Sequence, residues 1–282
     1  MNKLVSIGIP VKNGFTNKSR ENINLENVLD SILTQSYKNI EIIISNNCST
    51  DKTNTFLENI SKIDKRIKLF NQKEQILAGE NFQFVKDQSK GDYFKWNCAD
   101  DLISPDYIAE NVKFLENNKD YIASSSKFYF ENDKHNFYAH DLDQEVYNRI
   151  KFFFKIRYYS HNIFFSLMKK ETAEKLLSFS GDYLGIDWAI NLDLLLRGKY
   201  KTIDKGHMIN GTNGFSRSNV FLKRKRYNNK TIHKILPLYE MTRDFIKVTF
   251  LSKKLSFFQK IYLFYLCLKT NIPFLKKRSK QT

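Results

Sequence analysis

Short apolar runs typical of buried strands alternate with helical patterns over the first hundred residues, and this alternation constrains the fold more than any other feature. The runs from Leu4 to Ile9 and from Ile40 to Ile44 each predict a strand. Between them, apolar residues from Leu25 to Leu33 recur at spacings of three and four, which predicts an amphipathic helix. Repeated strand–helix–strand units form doubly wound, mostly parallel sheets flanked by helices. The sequence therefore predicts the α/β class.

Two adjacent carboxylates, Asp100 and Asp101, follow an aromatic-rich strand predicted at Tyr93 to Trp96. Ser104 and Pro105 are typical of an N-cap and a first helical residue, so we expect the pair on a strand-to-helix turn. In open α/β sheets, ligands bind beyond the carboxyl ends of the strands. A divalent cation is usually held there by one or two carboxylates together with substrate phosphates. A single Asp would be explained as a helix cap, but two in succession favour a metal site.

The net charge of +16 is concentrated in the C-terminal part of the chain. From Lys223 onward there are 16 Lys or Arg residues against two acidic ones, Glu240 and Asp244, which leaves +2 for residues 1–222. The sequence therefore predicts a compact domain at residues 1–222 and a basic, aromatic-rich helical appendage at residues 223–282. An anionic membrane surface and nucleic acid are the two acidic partners that such a tail could bind.

The cysteines and histidines predict no metal site of their own. Cys48, Cys98 and Cys267 are far apart and odd in number, which argues against a disulfide framework and a zinc site and favours a reducing cytoplasm. The five histidines form no i, i+4 pair. His161 and His207 lie in the second half of the domain, where a substrate contact is one explanation, but each is expected to be a structural or surface histidine. The segment after His161, Asn162 to Met168, alternates like a strand.

Four short motifs follow one another along the domain. They are Val5-Ser6-Ile7-Gly8-Ile9-Pro10-Val11-Lys12-Asn13, Ile44-Ser45-Asn46-Asn47-Cys48-Ser49-Thr50-Asp51, Ala99-Asp100-Asp101 and Gly185-Ile186-Asp187-Trp188. In this order and at these separations the chain resembles the family 2 glycosyltransferases, inverting enzymes with the nucleotide-sugar-binding GT-A fold. The resemblance covers residues 4–219. It implies a nucleotide-sugar half at about residues 1–105 and an acceptor half at about residues 106–222.

The resemblance assigns the polar residues after the first two strands to the donor nucleotide. It implies that Pro10, Lys12 and Asn13 lie along the nucleotide. The Lys12 ammonium is then available to a phosphate, and a solvated surface lysine is the alternative. Asn46 and Asn47 occupy positions where relatives commonly carry at least one Asp that accepts the uracil N–H. An amide oxygen can accept the same bond, although a neutral hydrogen bond is roughly half as strong as a charge-assisted one. A UDP-linked donor sugar is therefore expected, and an Asn-rich turn is the alternative explanation of these two residues.

The resemblance gives the carboxylates separate tasks. Asp100 and Asp101 are expected to hold Mn²⁺ or Mg²⁺, and Asp100 also to contact the donor. Many relatives have a further acid two positions before Asp100, where this chain has Cys98, and a thiol is a poor ligand for a hard cation. Asp187 matches the general base that deprotonates the acceptor hydroxyl in an inverting displacement. An Asp that merely favours a helix N-terminus is the structural alternative.

These expectations describe a hexosyltransferase-like enzyme of surface polysaccharide, lipooligosaccharide or capsule biosynthesis, which transfers a sugar to a hydroxyl of a glycan or lipid-linked glycan. A nucleotidyltransferase that makes nucleotide sugars is an alternative, but Gly8-Ile9-Pro10-Val11-Lys12-Asn13-Gly14 matches its glycine-rich loop poorly. A nucleic-acid-binding protein would explain the net charge. Because that charge is confined to the tail, nucleic acid is the less favoured partner.

The tail contains an eight-residue apolar run, Ile261 to Leu268, bracketed by Lys260 and Lys269. Crossing a bilayer takes about 20 apolar residues, so this run is too short to span one but can lie in the interface. We therefore expect a cytoplasmic enzyme that is peripheral at the inner face of the cytoplasmic membrane. Packing of the tail on the domain, or on a second copy in a homo-oligomer, is the alternative.

Overall fold

The computed structural model describes residues 3–15, 23–179, 181–211 and 230–276, in which nine strands form one sheet. The strands are β1 (Val5–Val11), β2 (Ile40–Asn46), β3 (Ile67–Asn71), β4 (Tyr93–Trp96), β5 (Asp101–Ile103), β6 (Tyr121–Phe130), β7 (Asp133–Tyr138), β8 (Leu167–Lys169) and β9 (Lys199–Asn210). The α-helices are α1 (Leu25–Leu33), α2 (Thr53–Ile63), α3 (Ala78–Asp87), α4 (Tyr107–Asn117), α5 (Val146–Ile156), α6 (His161–Phe164), α7 (Lys170–Lys175), α8 (Ile186–Arg197), α9 (Tyr239–Leu251), α10 (Phe257–Lys269) and α11 (Ile272–Lys276). The predicted α/β class is confirmed.

The strand order is β3-β2-β1-β4-β8-β6-β9-β5, with β7 paired to β6. The first four of these strands are parallel to one another, so their carboxyl ends lie at the same edge of the sheet. Val11 at the end of β1 pairs with Asn46 at the end of β2, and Gly8 pairs with Trp96 at the end of β4. Every residue of β2 is buried, as expected for a parallel strand covered by helices on both faces.

The prediction that Ser104 and Pro105 begin a helix directly after the acidic pair is wrong. A short strand, β5, begins at Asp101 and pairs antiparallel with β9, and α4 begins only at Tyr107. The Ser104 hydroxyl accepts a hydrogen bond from the His207 N–H of β9 at 2.9 Å, so it fixes the end of β5. The acidic pair therefore lies on a strand-to-strand turn. The pairing partner is about a hundred residues away in the chain, beyond the reach of a local pattern.

The prediction of a strand over residues 162–168 is only partly right, because α6 occupies its first half and β8 begins at Leu167. The buried Asn162 side chain donates to the hydroxyls of Ser125 in β6 and Thr202 in β9, both at 3.2 Å. These bonds hold a helical turn against the sheet. Tertiary contacts thus override a local alternation that favours a strand.

The described part of the predicted tail, residues 230–276, packs on the domain. Met241 and Phe245 of α9 and Cys267 of α10 are buried in the same core as the sheet, and the rings of Phe245 and Phe154 meet edge to face at 5.5 Å. The predicted boundary at residue 222 lies outside the described residues, as do residues 223–229 and 277–282. Among the helices that are described, none has the length and apolar character needed to cross a membrane.

Candidate functional site

The loop after β1 is fastened to the loop after β2. Asn13 has a left-handed backbone conformation (φ 54°), which Asn tolerates better than most residues. Its side-chain oxygen accepts from the Thr50 N–H at 2.8 Å, and its own N–H donates to Ser49 Oγ at 2.9 Å. Pro10 pairs with Ser45 one residue before the end of β1, and the Lys12 ammonium donates to the side-chain oxygen of Gln75. The three residues predicted along the nucleotide therefore lie at the carboxyl edge, Pro10 near the end of β1 and Lys12 and Asn13 in the loop after it, which internal hydrogen bonds fix.

Asn46 and Asn47 lie at the same edge, but their amide groups already have partners within the protein. Asn46 donates to the side-chain oxygens of Asn54 and Asn71, both at 3.0 Å. Asn47 accepts from the N–H of Ile76 at 3.0 Å and donates to its carbonyl at 2.9 Å. Both side chains are nearly inaccessible to solvent. A nucleotide base bound here would have to share or replace these bonds, so the predicted base contacts stay a prediction.

Asp101 is held by groups from two distant parts of the chain. Its Oδ1 accepts from the Gly211 N–H at 3.1 Å and from the Asn210 amide at 3.3 Å, both at the end of β9. Its Oδ2 lies 3.2 Å from Nε2 of His161, the first residue of α6. The Asp101 side chain is almost fully buried. Its orientation is therefore fixed on both sides, and His161, expected from the sequence to be structural, belongs to the site.

Asp100 and Cys98 complete a compact cluster with Asp101. One potential ligand atom from each of the three residues lies within 4.8 Å of the others, and in the described part of the chain this is the one group of three or more such residues. Burial and the nearby Asp101 charge raise the pKa of the Asp100 carboxyl well above its usual range. The same two causes raise the pKa of the Cys98 thiol. Two crowded carboxylates fit a hard divalent cation, whereas a protonated thiol does not.

A buried lysine lies close to the acidic pair. The Lys95 ammonium donates to the carbonyls of Trp96 at 3.0 Å and Phe165 at 2.8 Å. Burial lowers the pKa of Lys95 to about 7, and the charge of Asp101 opposes that shift. Lys95 is not among the site residues expected from the sequence. A lysine within the otherwise aromatic strand Tyr93–Trp96 was the signal that could have singled it out.

Asp187 lies in the first turn of α8, which begins after Gly185 in a left-handed conformation (φ 87°). One turn further along the same helix face, the Asn191 amide donates to the Ser160 carbonyl at 3.1 Å and to its hydroxyl at 3.2 Å. Ser160 directly precedes His161, whose ring faces Asp101. Ser160 and His161 thus link α8, the helix that carries the predicted base, to Asp101.

A second connection joins the segment before α8 to the first turn of α3. The carboxylate of Asp182 accepts the N–H of Ala78 at 3.1 Å and that of Gly79 at 2.5 Å, in the first turn of α3. A carboxylate at a helix N-terminus satisfies free N–H groups and interacts favourably with the helix dipole. The segment that leads into α8 is therefore anchored on α3, which packs against β1 and β2.

The sequence matches one family model and several curated proteins. The model of the family described as Glycosyl transferase family 2 matches residues 6–180. An uncharacterized glycosyltransferase of Haemophilus influenzae is 37% identical over 102 residues, which are 36% of this chain and 32% of that relative. This chain spans less than half the length of the curated relatives that it matches.

Solved structures show the same fold at low sequence identity. TarS residues 1–349 from S. aureus superposes with a TM-score of 0.67 at 12% identity, over 94% of this chain and 70% of that one. TarS in complex with UDP-GlcNAc gives a TM-score of 0.62 at 12% identity, over 93% and 70% of the two chains. The mannosyltransferase PcManGT from Pyrobaculum calidifontis, in complex with GDP-Man and Mn²⁺, gives 0.54 at 13% identity, over 100% and 76%. The fold is therefore the GT-A fold.

Proposed function

Because this chain belongs to glycosyl transferase family 2, we propose that it transfers a sugar from a UDP-linked donor to a hydroxyl of a glycan or lipid-linked glycan, with inversion at the anomeric carbon. The observation that carries the proposal is the pair of half-buried Asp100 and buried Asp101 in the turn after β4, whose carboxyl end lies at the same edge of the sheet as those of β1 and β2. A divalent cation would offset the negative charge of this pair and leave coordination positions for the oxygens of a diphosphate. Crystals of TarS, which has the same fold, contain UDP-GlcNAc, and this supports a UDP-linked donor.

The proposed donor site divides its work between the two carboxylates. Asp101 is already oriented by Gly211, Asn210 and His161, so it presents a fixed oxygen. Burial and the charge of Asp101 disfavour ionisation of the Asp100 carboxyl group. A bound cation would instead favour the ionised carboxylate. We assign Mn²⁺ or Mg²⁺ to these two residues. When bound, the ion would neutralise charge on the leaving diphosphate.

Asp187 is the proposed general base. Its carboxylate takes the proton of the acceptor hydroxyl while the hydroxyl oxygen attacks the anomeric carbon. The bond between that carbon and the diphosphate oxygen breaks, and the electron pair leaves with the diphosphate. The support for this role is the position of Asp187 in the first turn of α8, connected through Asn191 and Ser160 to the segment that carries His161.

A screen of donor hydrolysis tests the proposal. The full chain is incubated with UDP-linked and GDP-linked sugars in Mn²⁺, Mg²⁺ or EDTA, and the released nucleotide is measured. We expect cation-dependent release of UDP from at least one UDP-sugar, and loss of that release in Asp101→Asn. The matched control is Asp120→Asn, at an exposed ion pair with Lys199, which should behave as wild type. Release from none of the donors, or equal release in EDTA, would contradict the proposal.

A further inference from the structure

Helix α10 presents one apolar face to the protein and a second one to the solvent. Leu263 and Cys267 are fully buried against the domain. The opposite side exposes between 41% and 83% of five large apolar or aromatic residues: Phe257, Phe258, Ile261, Tyr262 and Tyr265. Their spacing places them on one side of the helix. We refer to these five residues as the aromatic face.

The aromatic face continues into its neighbours. Leu251, at the end of α9, is 73% exposed, and the Lys260 ammonium donates to the Phe250 carbonyl at 2.9 Å, which holds the end of α9 beside α10. Of the fifteen exposed large hydrophobic residues in the described ranges, eight lie between Phe250 and Ile272. A contiguous apolar patch of this kind, unlike single exposed residues, marks an interaction surface.

Positive charge surrounds this patch. No Asp or Glu occurs after Asp244 in the chain, whereas residues 245–282 contain nine Lys or Arg residues. Lys253 and Lys254 lie between α9 and α10, and both are exposed. Lys269 ends α10 and is exposed as well. The cations therefore flank an apolar helix face at both of its ends.

A groove of about 330 Å³ between α5, α10 and α11 extends the same surface. Its lining includes four cationic residues, Lys151, Lys155, Arg157 and Lys269, and contains no acidic residue. Tyr262 belongs both to this lining and to the aromatic face, and the Lys151 ammonium lies 6.0 Å from the centre of its ring. The groove thus places several donors for an anionic group directly beside exposed aromatic side chains.

We propose that this surface docks on an anionic lipid bilayer, with the aromatic face in the interface and the groove cations bound to lipid phosphate groups. Aromatic residues flanked by lysines complement the headgroup region of a bilayer, where the rings enter the apolar boundary and the ammonium groups stay at the surface. A symmetric contact with a second copy is less favourable, because it would bring like charges together with no acid from residues 245–276 to pair with them.

Docking also determines from which side a lipid-linked acceptor approaches the site, a step that rests on the proposed function. The ring of Trp188, next to Asp187, packs edge to face against Phe274 of α11 at 6.5 Å. Arg157, which lines the groove, lies 6.0 Å from the same Trp188 ring. The residue that follows the proposed base thus contacts α11 and the groove residue Arg157, so a lipid-linked acceptor in the membrane would approach the start of α8 from this side.

Vesicle flotation of the full chain tests the docking. We expect binding to vesicles of phosphatidylcholine with phosphatidylglycerol, weak binding to phosphatidylcholine alone, and a decrease of binding with salt. The double variant Phe257→Ser/Phe258→Ser should bind the vesicles with an affinity lower by about tenfold or more. Its matched control is Ile63→Ser on α2, a side chain that is also 83% exposed. The double variant Lys151→Gln/Lys155→Gln should lose the preference for phosphatidylglycerol, and Lys62→Gln/Lys65→Gln should keep it.

Other outcomes would overturn the docking and name a different occupant. Light scattering that shows a dimer, dissolved by Phe257→Ser/Phe258→Ser in a chain that binds no vesicles, would assign the face to a second copy. Retention on duplex DNA without vesicle binding would assign the cations to nucleic acid. Inorganic phosphate binding alone would reduce the groove to an anion site. Hydrolysis of soluble donors, measured in the same variants, should stay at the wild-type rate, which separates failure of the docking from failure of the proposed function.

Discussion

Replacement of Gly211 by alanine is the sharpest available perturbation of the acidic pair. A Cβ at Gly211 would meet the Asp100 carbonyl oxygen at 2.5 Å, the Asp100 Cβ at 2.9 Å and its Oδ2 at 3.0 Å. Because non-bonded atoms in packed interiors do not approach this closely, the two segments must separate by about 0.5 Å or more. The Gly211 N–H also donates to Asp101 at 3.1 Å, so the separation displaces both carboxylates.

The expected effect on catalysis follows from this displacement. A catalytic group misplaced by 1 Å can cost about a hundredfold in rate. We therefore expect Gly211→Ala to slow nucleotide release from the donor by about tenfold to a hundredfold and to raise the Mn²⁺ concentration needed for half-maximal rate. The assay is donor hydrolysis over a Mn²⁺ titration, with the melting temperature measured in parallel.

Gly198→Ala is the matched control, because Gly198 and Gly211 flank opposite ends of β9. Its Cβ would meet Ile122 Cγ2 at 2.6 Å, a comparable clash with an aliphatic side chain. This variant should melt at a lower temperature but keep the wild-type response to Mn²⁺. A Gly211→Ala protein with the wild-type rate and the wild-type Mn²⁺ midpoint would refute the placement of the acidic pair in the donor site.

Three further substitutions test other parts of the structure. Asp187→Asn should bind donor as the wild type does but lose about 10²- to 10⁴-fold in transfer, measured with acceptor present. Asn47→Ala removes both bonds to the Ile76 backbone, so unfolding in urea should show a loss of about 1–3 kcal/mol together with weaker donor binding. Burial opposes ionisation of Glu41, but hydrogen bonds led by that from Lys68 outweigh it and lower its pKa. Its contribution to stability is therefore present above about pH 4.3 and is lost as the pH falls below that value, so Glu41→Gln should flatten the decline of stability below about pH 5 in urea unfolding.

The nucleotide half of the sheet could be predicted from local patterns because its strands are covered on both faces. Such strands appear in the sequence as continuous apolar runs, and amphipathic helices connect them. Asn46 and Asn47 follow such a strand, so their place at the carboxyl edge was predictable as well. Their partners Asn54, Asn71 and the Ile76 backbone were not, because they come from other elements of the chain.

The surroundings of the acidic pair were beyond local prediction for a different reason. Asp101 is oriented by His161 and by the end of β9, which are 60 and about 110 residues away in the chain. The three-residue strand β5 exists because β9 pairs with it, not because its own sequence demands a strand. The position of the carboxylates after a predicted strand, together with the family resemblance, indicated a metal site, but only the fold identified the histidine beside them.

Calorimetric titration of the full chain with UDP tests the central claim, that Asp100 and Asp101 couple a divalent cation to the donor diphosphate. The account predicts binding in Mn²⁺ that weakens at least about tenfold in EDTA, and an equal weakening in Asp100→Asn when Mn²⁺ is present. Asp120→Asn should bind UDP as the wild type does. Equal UDP affinity with and without the cation, in the wild type and in Asp100→Asn alike, would contradict the account.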